Sequence, residues 1–260
     1  MNRINKLFKE NKNRKLLSLY FCAGCPTLEG TGNVILTLQE RGIDMIEVGI
    51  PFSDPLADGP VIQSAGTVAL KNGMTLRLLF QQLKEIKEMV RIPLVMMGYL
   101  NVIMHYGIEE FCKSCVECGV SGMIIPDLPF KDYIDDVKPV ADRYDLRVIM
   151  MITPETSDDR IRFIDNNTDG FIYMVSSASI TGAQKCFDEA KQDYFRHINS
   201  MNLRNPRMIG FGISNKQTLD SANANAAGAI IGSKFVTLLN DSNGDAEKAI
   251  DNLYEALEKG

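Results

Sequence analysis

Eight short apolar runs, each followed by helical periodicity, constrain this chain more than any other feature of its sequence. The runs are Leu16–Cys22, Met45–Ile50, Leu94–Met97, Met123–Ile125, Arg147–Ile152, Phe171–Val175, Met208–Gly210 and Ala229–Ile231. Between them the spacing predicts helices over Leu28–Arg41, Leu76–Met89, Ile108–Cys118, Tyr133–Tyr144, Ser157–Asp165, Lys185–Met201 and Lys216–Ala222, with Glu247–Leu257 closing the chain. Strands that are apolar nearly throughout, each followed by a helix, read as parallel strands covered on both faces. Eight such units in 260 residues point to an α/β fold, a single (β/α)8 TIM barrel, over an open doubly wound sheet. No G-x-G-x-x-G follows the first run, which argues against a dinucleotide fold. No linker or low-complexity stretch interrupts the alternation, so residues 1–260 read as one domain. An extra N-terminal helix at Asn2–Glu10 is expected to cap the barrel bottom.

A formal net charge of −5 argues against a nucleic-acid surface, which needs a basic stripe. No apolar run reaches the roughly 18 residues of a membrane helix, so no membrane partner is expected. The basic, polar opening has no apolar segment of the kind that secretion requires, and a cytoplasmic location is expected. Six cysteines in such a chain read as reduced, buried thiols. Cys112, Cys115 and Cys118 have an iron–sulfur-like spacing, but no fourth Cys-Pro follows, and the segment is helical. Packing of small apolar side chains is the reading preferred for them. Cys22 and Cys25 are spaced like a redox pair, yet Pro26 follows where such a motif would open a helix. With only His105 and His197, a zinc or metal-aldolase site is poorly supplied, and no metal is expected.

In a (β/α)8 barrel, chemistry sits on the loops after the C-terminal ends of the strands. Glu47 is the one charged residue of the second run. Period-two alternation sets Ile46, Val48 and Ile50 on one face and Met45, Glu47 and Gly49 on the other. If the first set meets the helices, Glu47 points into the barrel, where a carboxylate is either ion-paired or raised in pKa. A raised carboxyl at a barrel mouth suits general acid–base work; a structural ion pair is the competing reading. Asp54 and Asp58 follow in the next loop, and Asp58-Gly59-Pro60 also reads as a helix start. Asp58 is thus either a turn residue or a second carboxylate dividing roles with Glu47.

The loops after the last two runs, Gly210-Phe-Gly-Ile-Ser214 and Gly232-Ser-Lys234, fall where barrels commonly hold phosphate on backbone N–H groups. Gly182, in the small-residue loop Ser176–Gly182, could complete that cradle, or serve only flexibility. No strand candidate contains a lysine, which removes Schiff-base aldolase chemistry. Any carbon–carbon cleavage here must use carboxylates.

Together the run from Ile46 to Pro60 (IEVGIPFSDPLADGP), Pro126-Asp-Leu-Pro129, Gly210-Phe-Gly-Ile-Ser214 and Gly232-Ser233 closely resemble the tryptophan synthase α subunit family. The resemblance spans nearly the whole chain; its first block is highly specific, whereas the glycine blocks are shared with several phosphate-binding barrels. It implies a lyase that cleaves indole-3-glycerol phosphate to indole and glyceraldehyde 3-phosphate. It also implies a β subunit carrying pyridoxal phosphate, joined in an αββα heterotetramer that passes indole through a tunnel, and no cofactor in this chain. By motif, Glu47 corresponds to the acid–base Glu, Asp58 to the Asp that addresses the indole nitrogen, and Tyr173 to a Tyr beside the reacting hydroxyl. Gly182, Gly210, Gly212, Gly232 and Ser233 correspond to phosphate-binding positions. Tyr20, Tyr99 and Ile124 fall where the family lines its indole pocket, and Thr181 in its closing loop. Two residues depart from the pattern: Cys25 takes the place of an acidic residue, and Ser179 stands where many members have Gly. Phe52 and Asp54, without a role in the chemistry, suit a partner interface, with ordinary loop packing as the alternative.

The inventory suits that chemistry. Protonating indole C3 gives an indolenine cation whose bond to the side chain can then break as the hydroxyl loses its proton, and one carboxyl can serve both transfers. Two other readings compete: another phosphate-binding barrel of the same pathway, and a non-catalytic regulatory subunit. The missing strand lysine opposes indole-glycerol-phosphate synthase, and the presence of both Glu47 and Asp58 opposes a regulatory subunit.

Overall fold

The strands form where the apolar runs predict them, shifted by no more than one residue at either end. A computed structural model describes residues 1–176 and 186–258. Its strands are β1 (Leu16–Cys22), β2 (Met45–Gly49), β3 (Leu94–Met97), β4 (Gly122–Ile124), β5 (Arg147–Ile152), β6 (Ile172–Val175), β7 (Arg207–Gly210) and β8 (Gly228–Ile231). They pair in parallel in chain order, and β8 returns to β1 to close the barrel. Every residue of β2, β3, β4, β6 and β8 is buried, which is why these runs lack hydrophobic alternation. Closure needs a glycine. Gly228 pairs with Leu16, and a Cβ there would lie 2.1 Å from the Leu16 carbonyl oxygen.

Helix α1 (Arg3–Glu10) seals the bottom of the barrel, as expected. Its Ile4 is fully buried and rests over Gly122, where a Cβ would come within 2.7 Å of the isoleucine Cδ1. Asn2 fixes the helix start twice. Its side-chain oxygen accepts from Ile4 N–H (2.8 Å), and its amide donates to the carbonyls of Ser121 (2.8 Å) and Asp145 (2.6 Å).

The remaining helices are α2 (Thr31–Glu40), α3 (Pro60–Lys71), α4 (Leu76–Ile86), α5 (Leu100–Tyr106), α6 (Ile108–Glu117), α7 (Phe130–Asp132), α8 (Lys138–Arg143), α9 (Asp158–Asn167), α10 (Glu189–Ser200), α11 (Lys216–Asn225), α12 (Ser233–Asp241) and α13 (Ala246–Glu258). Periodicity does not separate α5 and α12 from the strands before them. The α12 sequence SKFVTLLND follows β8 with only Gly232 between, so the two elements merge into one apolar stretch. In the same way α5 is short, apolar and close behind β3. The predicted helix over Tyr133–Tyr144 contains a π-turn at Tyr133–Val137 that separates α7 from α8. Helix α10 starts at Glu189 instead of Lys185, because Asp188 caps it by accepting from Lys191 N–H at 3.0 Å.

All six cysteines are free. Cys112, Cys115 and Cys118 are buried along one side of α6 and just beyond its end, and burial pushes their thiols up. Among the described residues no three His, Cys, Asp or Glu side chains gather as metal ligands, and no helix is long and apolar enough to cross a membrane.

Candidate active site

Four carboxylates among the described residues are buried, and they fall into two kinds. Asp44 is satisfied by the Arg14 guanidinium and by Leu17 N–H (2.9 Å). Asp165 accepts from the N–H groups of Arg204 (2.7 Å) and Asn205 (2.8 Å). Glu47 and Asp58 each keep a buried oxygen, Oε1 and Oδ1, with no hydrogen-bond partner among the described residues. An unpaired buried carboxyl is costly, so its oxygens are either protonated or waiting for a ligand.

Both unpaired acids line one cleft at the C-terminal mouth of the barrel. Glu47 sits in β2 in register with Tyr20 of β1 and Val95 of β3, and only 1% of it is exposed. Loss of water raises its pKa to about 8, so at neutral pH it can hold a proton and release it. The Tyr20 ring runs up the barrel wall to Gly49, where a Cβ would lie 2.2 Å from the phenol oxygen. Burial, then the neighbouring ionisable groups, holds the Tyr20 phenol well above its ordinary range and therefore neutral.

Asp58 closes the β2–α3 loop, two residues before Pro60 takes the first position of α3. The Tyr99 hydroxyl donates to Asp58 Oδ2 (2.9 Å) and accepts from Ala57 N–H (3.0 Å). Burial lifts the Asp58 pKa to about 6, and the Tyr99 hydrogen bond holds it down against that rise. Asp58 is therefore ionised at neutral pH while Glu47 is largely protonated. Two acids in one cleft have been set to opposite states by their surroundings.

The far side of the cleft is built from β6, β7 and β8. Tyr173 leans from β6 onto Gly210 of β7, where a Cβ would lie 2.2 Å from the phenol oxygen. Phe211 meets the Tyr173 ring edge-on at 6.1 Å. Phe211 and Gly212 both take positive φ (70° and 77°), and the Phe211 carbonyl is held by the Ser176 hydroxyl at 2.7 Å. This left-handed pair turns the chain so that Gly212 lines the cleft together with Gly232 and Ser233, where α12 begins. The first N–H groups of a helix have no intrahelical partner, so this end of the cleft is chemically able to accept an anion.

Seven of the sequence-predicted site residues meet in this cleft: Tyr20, Glu47, Asp58, Tyr173, Gly212, Gly232 and Ser233. Gly210 lies beneath Tyr173, and Tyr99 stands behind Asp58. Ile124 is wholly buried in β4 and does not line the cleft. Thr181, Gly182 and Ser179 lie outside the described residues. In the β2–α3 loop Asp54 is exposed, whereas Phe52 is half-buried against the Tyr99 ring at 5.2 Å. Sequence reasoning misses Leu56 beside them, 88% exposed, and Phe211, whose signal is its place between two glycines. Cys25 is buried and donates its thiol to Asn240 Oδ1 (3.4 Å) on α12. Asp127, from the Pro126–Pro129 motif, accepts from Leu100 N–H (2.9 Å) at the start of α5.

A family model, tryptophan synthase alpha chain, matches residues 7–259. The chain belongs to the tryptophan synthase alpha chain family. It is 67% identical to the tryptophan synthase alpha chain of Phocaeicola vulgatus over 257 residues, 99% of each chain. It is 63% identical to that of Bacteroides thetaiotaomicron over 99% of this chain and all of the relative. A crystal structure of tryptophan synthase subunit alpha from Legionella pneumophila superposes with a TM-score of 0.88 at 30% identity, covering 100% of this chain and 98% of that one. As a tryptophan synthase alpha chain, it is a lyase that cleaves indole-3-glycerol phosphate to indole and glyceraldehyde 3-phosphate, and passes indole to a β-subunit partner for the last step of tryptophan synthesis.

Proposed function

We propose that Glu47 carries both proton transfers of the cleavage and that Asp58 stabilises the cation formed between them. The observation that carries this reading is the pair of unpartnered buried carboxyl oxygens, Glu47 Oε1 and Asp58 Oδ1, in a single cleft. Protonated Glu47 gives its proton to indole C3, and the ring becomes an indolenine cation. Ionised Asp58 accepts the ring N–H and offsets the positive charge as it develops. The bond from C3 to the side chain then breaks, its electron pair returning to the ring. The side-chain hydroxyl becomes the aldehyde carbonyl by losing its proton to Glu47, which is restored to its starting state. Tyr173, neutral because burial holds its phenol well above the ordinary range, contacts the reacting hydroxyl. Gly212, Gly232 and Ser233 hold the substrate phosphate, to which the family resemblance adds Gly182; Tyr20 faces the indole, and Tyr99 acts from behind Asp58.

The 1–260 chain acts as one domain, in the cytoplasm, within an αββα heterotetramer whose β subunits carry pyridoxal phosphate; this chain uses no cofactor or metal. Exposed Asp54 and Leu56, with Phe52 at their base, form the partner-facing part of the β2–α3 loop. Indole release by purified variants tests the chemistry. Glu47→Gln should lose roughly 10²–10⁴-fold or more, and Asp58→Asn should fall while both variants keep the wild-type circular dichroism. Turnover of Glu47→Gln near the wild-type rate would rule the mechanism out.

A further inference from the structure

We propose that Lys234 is a substrate-binding cation, pairing with the phosphate dianion on the β7–β8 side of the cleft. The inference rests on the proposed phosphate site and adds to it a residue outside the family motif. Lys234 lines the cleft, and it is the one basic side chain among the described residues that do so. It is half-buried, and no described residue forms a hydrogen bond or ion pair with it. It occupies the second position of α12, directly after Ser233. Side chains on a helix tilt back towards its N-terminus, so a long one here covers the turn before its own Cα. That turn holds Gly232 and Ser233, the proposed phosphate cradle.

Charge gives the same assignment. The described lining of the cleft otherwise carries two carboxyls, Glu47 and Asp58, each with a buried oxygen that has no partner. Both are built to meet a ligand, and neither can neutralise an anion. A phosphate monoester is largely dianionic at neutral pH. Backbone N–H groups at a helix start supply only about half a positive charge. In a chain of net charge −5, an unpaired lysine at the mouth draws the dianion in and opposes the repulsion from Asp58. The lysine therefore sets the preference for phosphorylated over unphosphorylated side chains, whereas the backbone cradle sets the position.

Calorimetric titration of glycerol 3-phosphate into the full chain tests this at low and high salt. Wild type, Lys234→Met and Lys234→Arg are compared, with neutral indole as a control ligand. Lys234→Met should bind glycerol 3-phosphate about 5–30-fold more weakly at low salt, and the gap should shrink at high salt as the charge is screened. Lys234→Arg should stay close to wild type, and indole affinity should not change. Equal affinity of Lys234→Met and wild type at both salt concentrations would overturn the lysine's role and leave the phosphate site standing. A wild-type chain that fails to bind glycerol 3-phosphate at all would overturn the site and the inference together.

Discussion

The Tyr99 hydroxyl stands between the Asp58 carboxylate and the loop that carries it, donating to Oδ2 at 2.9 Å while accepting from Ala57 N–H at 3.0 Å. One phenol thereby fixes the position of the carboxylate and keeps it ionised. Cleavage needs protonated Glu47 and ionised Asp58, with pKa values of about 8 and about 6, so activity should follow a bell between those limits. Tyr99→Phe removes a hydrogen bond that favours the charged form of Asp58. Its acid limb should therefore move to higher pH, with the alkaline limb unchanged. The loss in kcat/KM near neutrality should be roughly 10-fold or more, from one hydrogen bond to a charged group. A pH–rate profile of indole release reads this directly. An acid limb at the wild-type position would mean that Tyr99 serves only packing.

Glu47 should also leave a mark on stability. Its carboxyl is raised to about 8 in the folded chain, against 4.5 for an ordinary glutamate. Between these values the folded state holds a proton that the unfolded state has released. The stabilisation by that proton is fully present below the unfolded pKa and is lost as pH rises to the folded one. Glu47→Gln has no such dependence. The variant should gain on wild type from about pH 5 to pH 8, by about 1–4 kcal/mol at the upper end. Thermal unfolding across that range measures the gap. A constant difference between the two proteins would show that Glu47 is not desolvated.

The two glycines of the β7 loop should fail differently. At Gly210 a Cβ would strike the Tyr173 hydroxyl, so Gly210→Ala should push the ring into the cleft and slow cleavage, at a stability cost of about 1–3 kcal/mol. Gly212 has φ +77°, and Gly212→Val would strain the turn and cover the N–H groups that face the anion. Its deficit should appear in glycerol 3-phosphate affinity. Comparing indole turnover with ligand binding separates them; normal phosphate binding by Gly212→Val would remove Gly212 from the cradle.

The barrel and its two acids are legible in the sequence for one physical reason: burial on both faces leaves a visible pattern. Eight unalternating apolar segments in a row suit few folds besides a closed parallel barrel, and one Glu within such a segment stands out. Residues that act through geometry leave no such trace. Tyr99 belongs to a pocket by motif, yet its hydrogen bond to Asp58 follows from the end of β3 and the β2–α3 loop meeting in space. Helix α12 is hidden because Gly232 alone divides two apolar elements. Lys234 reads in the sequence only as the end of a glycine loop, and its charge becomes distinctive beside the cleft. Phe52 reads as exposed from its loop, but the Tyr99 ring half-covers it.

The same loop should couple the cleavage site to the β subunit. Asp58 and the 88% exposed Leu56 are two residues apart, and Phe52 packs on the tyrosine that holds Asp58. A partner that grips Asp54 and Leu56 therefore restrains the loop from which Asp58 reaches its ligand. Ligand in the cleft restrains the same loop from the other side, so each should favour the other. By linkage the factor is equal in both directions, typically 5–150-fold. Titrating β subunit into the chain with and without glycerol 3-phosphate should show tighter partner binding in its presence. Leu56→Asp should weaken the partner at either condition, while indole release by the isolated variant stays at the wild-type rate. If glycerol 3-phosphate leaves partner affinity unchanged, the loop is an interface but not a coupling element.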